Sequence, residues 1–244
     1  MDVEGKAAIV SGAGSGIGRA TALLLARKGA RVLLADIDAV RGADALREVR
    51  QSEATAEFLE MDATRDGDIE KAIARVAELW GRLDIMFNNA GILTGAPAFP
   101  AVIPAQWRAV IDLNLTAVIR GTQLAAEAMR QTGGGAIVNT ASMAGINPWA
   151  MDPVYSASKA GVVFFTKAVE WMAERYQVRV NCVCPTLVET PLLSEAADQR
   201  IQGLIQVTRL KPEHVAEAVL RLIEDDSAAG KALTVLPDQE PAYA

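Results

Sequence analysis

The chain has 244 residues, 51% of them hydrophobic and 22% charged, with 24 Lys+Arg against 30 Asp+Glu and a net charge of −6. A chain of this length buries a sizeable core without disulfide or metal staples, and its composition excludes bulk disorder. A pI near 5.0 with no basic run argues against nucleic acid and anionic lipid as partners.

Residues 7–10 form a short apolar run, ended by the turn Ser11-Gly12-Ala13-Gly14-Ser15-Gly16-Ile17-Gly18. Helical spacing of Ile17, Ala20 and Leu24 predicts a helix over 16–28, closed by Gly29. The alternation then repeats: strand 31–35, helix 39–51, strand 56–60, helix 66–80, strand 84–88. After Pro97, Pro100 and Pro104 come a long helix over about 105–131 and a strand at 136–140. Helix 154–175, strand 178–184, helix 212–224 and strand 232–236 complete the pattern. Strands that alternate with helices and are apolar throughout predict an α/β, Rossmann-like, doubly wound parallel sheet of about seven strands, covered by helices on both faces. No Pro/Ser-rich linker interrupts residues 1–244, so one domain is expected.

The glycine turn between the first strand and first helix has the placement of a pyrophosphate cradle. Glycines admit the phosphate to the backbone, and the helix N-terminus offers N–H donors and partial positive charge. The spacing is G-x-x-x-G-x-G at Gly12, Gly16 and Gly18. Asp36 ends the second strand, where a carboxylate accepts from a ribose diol and repels a 2′-phosphate. Its neighbours Ala35 and Ile37 are neutral and Ser15 is uncharged, so NAD is favoured over NADP; no arginine is evidently placed for a phosphate, and Arg19 and Arg41 are the ones left open.

Tyr155 and Lys159, four apart at the start of a helix, share one face. An ammonium beside a phenol is expected to lower its pKa and make Tyr155 an acid or base near neutral pH. Ser142, just beyond the strand at 136–140, stands where its hydroxyl can meet Tyr155 in the crevice at the strand ends.

With these residues, Asp62, Asn88-Asn89-Ala90-Gly91 and Asn114, the chain resembles the single-domain branch of the short-chain dehydrogenase/reductase family over nearly its whole length. The resemblance implies a catalytic tetrad of Asn114, Ser142, Tyr155 and Lys159. Ser142 would hold the substrate oxygen and Tyr155 exchange its proton. Lys159 would bind the nicotinamide ribose and Asn114 a water. The implied cofactor residues are Gly12, Ser15, Gly16, Ile17, Gly18, Asp36, Asp62, Ala63, Asn89, Ala90, Gly91, Tyr155, Lys159, Pro185 and Thr190. Asp62 and Ala63 would contact adenine, and Thr190 the carboxamide. The expected activity is hydride transfer between NAD and an apolar secondary alcohol or its ketone. NADP-dependent carbonyl reduction and a catalytically silent nucleotide-binding regulator are the alternatives.

The chain also departs from the family pattern. Pro185-Thr186 stands where the family has Pro-Gly, and Leu236-Pro237-Asp238 replaces a glycine-rich ending. The tail is similar to the 15-hydroxyprostaglandin-dehydrogenase-like branch, but Asp152 replaces that branch's glutamine and speaks against prostaglandin itself. Residues 187–206 are expected to cover the substrate. Trp149, Met151, Leu187, Leu192, Leu193, Ile201 and Leu204 are candidates for its apolar contacts.

Cys182 and Cys184 read as small buried hydrophobes. With one histidine, His214, expected exposed in a first helical turn, no metal site is expected. Residues 1–6 lack the features of a targeting segment and no run suits a membrane span, so a cytoplasmic location is expected. The apolar girth of helix 154–175, with Val162, Val163, Phe164 and Phe165 in succession, predicts a homodimer or homotetramer joined through helices 105–131 and 154–175; Phe165 and Val169 are the expected outward positions.

Overall fold

The computed structural model describes residues 1–51, 54–192 and 208–244. Its strands are β1 Ala7–Ser11, β2 Arg31–Asp36, β3 Ala56–Glu60, β4 Ile85–Asn88, β5 Gly135–Thr140, β6 Val178–Pro185, β7 Ala232–Val235 and β8 Ala242–Tyr243. They form one sheet in the order β3-β2-β1-β4-β5-β6-β7-β8, parallel except for the β7–β8 pair. Eight strands thus replace the seven expected. The last has two residues, too few for a periodic signal, and it pairs as an antiparallel edge.

The helices are α1 Gly16–Arg27, α2 Ala39–Arg50, α3 Asp68–Trp80, α4 Pro104–Ile111, α5 Ala117–Met129, α6 Pro153–Ala168, α7 Met172–Tyr176 and α8 Pro212–Glu224. Alternation along the strands builds one core on each face. Ala8 and Val10 of β1, with Val32 and Leu34 of β2, pack with Ala22 and Leu25 of α1 and Val219 of α8. Ala7, Ile9, Leu33 and Ala35 face the other way, toward Ile69, Val76, Ala125 and Met129. Each such fully buried Leu, Ile or Phe contributes roughly 1.5–3 kcal/mol.

Two long helices predicted from periodicity are broken. The 105–131 segment divides into α4 and α5 around a five-residue π-helical stretch, Asp112–Thr116. The extra backbone residue of such a stretch reorients the side chains within it, and Asn114 here is fully buried. The 154–175 segment ends at Ala168, before the short α7. Helical periodicity survives both breaks, and neither contains Gly or Pro to mark it.

Strand order reverses at β1, between β4 and β2, and ligands of doubly wound sheets bind at such a point, beyond the strand C-termini. Hydrogen bonds hold those ends in place. The Ser11 hydroxyl accepts from the backbone N–H groups of Asn89 (2.9 Å) and Ala90 (3.2 Å), tying β1 to the chain leaving β4. Deeper in, Asn88 donates to Asn139 Oδ1 (2.9 Å), and Asn139 donates to Thr166 of α6 (3.3 Å). Thr122 of α5 joins the same network through Asn88 (3.3 Å).

Asn139→Leu should strand the buried polar groups of Asn88, Thr122 and Thr166. Each unsatisfied group costs about 1–3 kcal/mol, so urea denaturation should show a loss of at least about 2 kcal/mol.

Candidate active site

Tyr155, Lys159 and Ser142 converge beyond the ends of β5 and β6. Asp152 caps α6 by accepting from Tyr155 N at 3.0 Å, which starts the helix where Tyr155 and Lys159 face inward. Lys159 is 2% exposed, and its ammonium donates to the Thr140 carbonyl at 2.7 Å. The same Nζ lies 5.7 Å from the centre of the Tyr155 ring. Ser142 caps the short 3-10 turn Met143–Gly145, accepting from Ala144 N at 3.1 Å, and its side chain hydrogen-bonds to Tyr155. Gly145 allows this turn to lie on α6, since a Cβ there would stand 2.6 Å from the Lys159 carbonyl.

Burial controls the ionisation of the pair. It pushes the Tyr155 phenol up to about 12, opposed by the Ser142 hydrogen bond and reinforced by the Asp152 charge. Burial also pulls the Lys159 ammonium down to about 8, with smaller opposing contributions from Cys184 and Cys182. The expectation that Lys159 lowers the phenol's pKa is therefore not met in the chain by itself. Desolvation is the largest influence on both groups.

Asn114 is held on the same side. Its amide exchanges two hydrogen bonds with the Ile92 backbone, both 2.9 Å, and donates to Ser158 Oγ at 3.2 Å. Ser158 in turn donates to the Tyr155 carbonyl at 2.7 Å.

The glycine turn lies across the crevice. A Cβ on Gly18 would come within 2.1 Å of the Gly12 carbonyl, so α1 starts this close to the turn only with glycine there. Ser15 makes no side-chain capping bond, and Ile17 and its neighbours in the first turn include no acid. Those amides are therefore available to an anion. Asp36 Oδ2 accepts from Gly14 N at 2.8 Å and Oδ1 from Asp38 N at 2.9 Å, which fixes the carboxylate at the mouth of the turn. Arg19 pairs with Glu48, and Arg41 with Asp38 at 3.3 Å.

Asn89 donates to the Ser11 carbonyl (3.0 Å) and accepts from Thr140 Oγ1 (3.2 Å). A Cβ on Gly91 would lie 3.2 Å from Asn114 Oδ1 and 3.5 Å from Lys159 Nζ, so the chain passes close to both. Ala63 and Ala90 line one recess with Ser11, Met61 and Leu113. Asp62 accepts from Thr64 N at 3.0 Å. Thr190 packs on Gly16, and Pro185 ends β6. Together these residues fit a dinucleotide: an open helix N-terminus for its phosphates and a carboxylate for a ribose.

Of the residues expected to touch substrate, Trp149 presents a ring edge-on to Tyr155 at 6.2 Å, and Met151 and Leu187 are half-buried. Leu192 is exposed; Leu193, Ile201 and Leu204 lie outside the described residues. Cys182 and Cys184 are buried. His214 sits in the first turn of α8, where Nδ1 accepts from Lys211 N at 3.3 Å. Sequence reasoning missed Ser11, Thr140, Ser158 and Thr94. Ser158 lies inside the Tyr155–Lys159 motif, but Thr140 meets Lys159 through its backbone carbonyl, a group every residue has. Among the described residues, no helix is long and apolar enough to cross a membrane.

Residues 6–201 match the short chain dehydrogenase family. The chain is 36% identical to cyclohexanol dehydrogenase of Acinetobacter sp. over 91% of its own length and 89% of that protein's. It is 34% identical to the 15-hydroxyprostaglandin dehydrogenase [NAD(+)] of Mus musculus, over 96% and 91%. The crystal structure of a 3-ketoacyl-(acyl-carrier-protein) reductase from Brucella melitensis complexed with NADH superimposes with a TM-score of 0.88 at 29% identity, covering 97% of this chain and 98% of that one. An actinorhodin polyketide ketoreductase variant with NADPH superimposes at 0.87 with 32% identity, over 95% and 96%. The chain belongs to the short-chain dehydrogenase family.

Two outcomes are expected. Gly18→Ala should abolish dinucleotide binding by calorimetry while the chain stays folded by circular dichroism. Lys159→Met should raise Tm at pH 7 in the chain alone. Below pH 8 the folded state holds a buried charge that the unfolded state solvates freely. Between about 8 and 10.5 the folded lysine is neutral and the unfolded one protonated, so wild-type stability rises with pH there. The advantage of the variant should therefore shrink as pH rises from 8 toward 10.

Proposed function

We propose that this member of the short-chain dehydrogenase family is an NAD-dependent enzyme interconverting an apolar secondary alcohol and its ketone, with Tyr155 as the acid/base. The observation that carries the reading is the buried Tyr155–Lys159 pair with Ser142 on the phenol, opposite an open glycine turn. A nicotinamide dinucleotide held there would supply or take up the hydride. Gly12, Ser15, Gly16, Ile17 and Gly18 hold the pyrophosphate, and Asp62, Ala63, Asn89, Ala90 and Gly91 line the path of the adenosine and the nicotinamide ribose. Pro185 and Thr190 meet the carboxamide end. Ser142 holds the substrate oxygen, Tyr155 gives or takes its proton, and Lys159 bonds the nicotinamide ribose. Asn114 steadies the Ile92 backbone and Ser158 beside them and holds a water that links Lys159 to solvent.

NAD is supported by Asp36, fixed by Gly14 where a 2′-phosphate would need space and positive charge. Arg19, just after the glycine turn, and Arg41, the first arginine after Asp36, already face carboxylates, Glu48 and Asp38. Apolar substrates are supported by the Trp149 ring beside Tyr155, and alcohol substrates by the names of the cyclohexanol and 15-hydroxyprostaglandin dehydrogenases. The chain works as a single-domain, cytoplasmic homo-oligomer. Its exposed apolar side chains include Phe164 at 73%, Trp171 at 50% and Ile119 at 38%, on or beside α5 and α6. Phe164 is therefore the outward residue. Phe165 is half-buried and Val169 packs into a core, contrary to the positions expected from the helical wheel.

Three measurements test this reading. A screen of secondary alcohols and ketones should give kcat/KM at least about tenfold higher with NAD than NADP, the effect of roughly 1.4 kcal/mol of repulsion at Asp36; equal use of NADP would mark a carbonyl reductase of the other cofactor class. Tyr155→Phe should lower kcat by about 10²–10⁴-fold with cofactor affinity near wild type. A silent regulator would show no turnover before or after the change. Phe164→Asp should dissociate the oligomer in light scattering at micromolar concentration, and a monomeric wild type would refute it.

A further inference from the structure

Asp152 does more than a helix cap requires. It is 7% exposed and takes three hydrogen bonds from two segments. Oδ1 accepts from Tyr155 N (3.0 Å) and Thr94 Oγ1 (2.6 Å), and Oδ2 accepts from Thr94 N (2.8 Å). Thr94 is itself buried, on the loop between β4 and α4, two residues after Ile92, which Asn114 holds by both backbone groups. The loop is thus fastened at Ile92 by the π-helical stretch and at Thr94 by the first residue ahead of α6.

We propose that Asp152 is a positioning residue for the proton-transfer step. Its carboxylate clamps the Thr94 loop to the backbone of Tyr155, and it sets a buried negative charge beside the phenol. This rests on Tyr155 acting as the acid/base. A cap alone needs one oxygen on one N–H; here the second oxygen and a shared bond on the first are spent on Thr94. The titratable groups around the phenol are Asp152 at the start of α6, Lys159 one turn after Tyr155, and Cys182 and Cys184 on β6 beyond Lys159. The turn after β5 adds the neutral Ser142 hydroxyl. The Asp152 charge opposes ionisation of the phenol, so removing it favours phenolate at lower pH. Asp152 thereby adds to the burial that keeps Tyr155 protonated, the form that donates to a ketone oxygen, and ties the backbone of Tyr155 to the Thr94 loop.

The test compares Asp152→Asn and Thr94→Val with wild type, using a secondary alcohol that wild type oxidises with NAD, and separately amide hydrogen exchange at residues 92–95 in the chain alone. In Asp152→Asn the acid limb of kcat/KM should move down by about one pH unit, and kcat should fall about tenfold as the phenol loses its fixed position. Thr94→Val keeps the charge and loses one bond, so its limb should stay in place. Exchange at residues 92–95 should quicken in both variants. If Asp152→Asn does not fold, Asp152→Ser, which keeps a capping oxygen, carries the same expectations. A limb that coincides with wild type once the charge is gone, or unchanged exchange, would overturn the proposal. Failure of wild type to oxidise any alcohol would count against the proposed function instead, and the exchange result alone would then decide the clamp.

Discussion

The site depends on one buried cation. The Lys159 ammonium lies under Tyr155 at the end of the sheet, bonded to the Thr140 carbonyl, where the fold excludes nearly all water from it. Taking an ammonium out of water costs several kcal/mol unless partners compensate, and the depressed pKa of Lys159 shows that compensation is incomplete. An apolar residue in its place would suit the core better. The remaining structure keeps it there: β5 presents the carbonyl, Gly145 lets the following turn lie on α6, and Asp152 fixes where α6 begins. Groups held against their own solvation in this way are characteristic of sites whose chemistry requires them.

The scaffold around that cation is polar where the sheet's ends meet and apolar elsewhere. The Ser11 hydroxyl joins β1 to the chain after β4, and the Asn88–Asn139–Thr166 chain joins β4 and β5 to α6. Such bonds are directional, so they fix the strand ends relative to one another more tightly than apolar contact does. The two halves of the crevice, the glycine turn at β1 and the Tyr155 face beyond β5, consequently stand in one fixed relation. A nicotinamide dinucleotide that reaches from the glycine turn to Tyr155 has to span both.

Much of this was legible in the sequence because its signals are local. The glycine turn, Asp36 and the Tyr155–Lys159 spacing each express geometry within a few residues, and the apolar strands express double coverage. The alternation of elements led to the sheet, and the resemblance placed Asn114 and Ser142. What remained hidden is non-local or purely backbone. The π-helical stretch that buries Asn114 preserves helical periodicity. The break after Ala168 carries no Gly or Pro, and β8 is two residues long. Phe164, and not Phe165, faces outward because the facing of α6 is set by its contacts with β6 and the turn after β5. The direction of the phenol's pKa followed from burial, which spacing does not reveal.

The central claim is that burial, more than the attraction within the pair, governs Lys159 and Tyr155. NMR titration of the chain labelled at lysine side-chain carbons tests it, with the Lys159 signal assigned by its loss in Lys159→Met. The account predicts a Lys159 midpoint about 8 in the absence of dinucleotide. A midpoint near the ordinary 10.5 would contradict it.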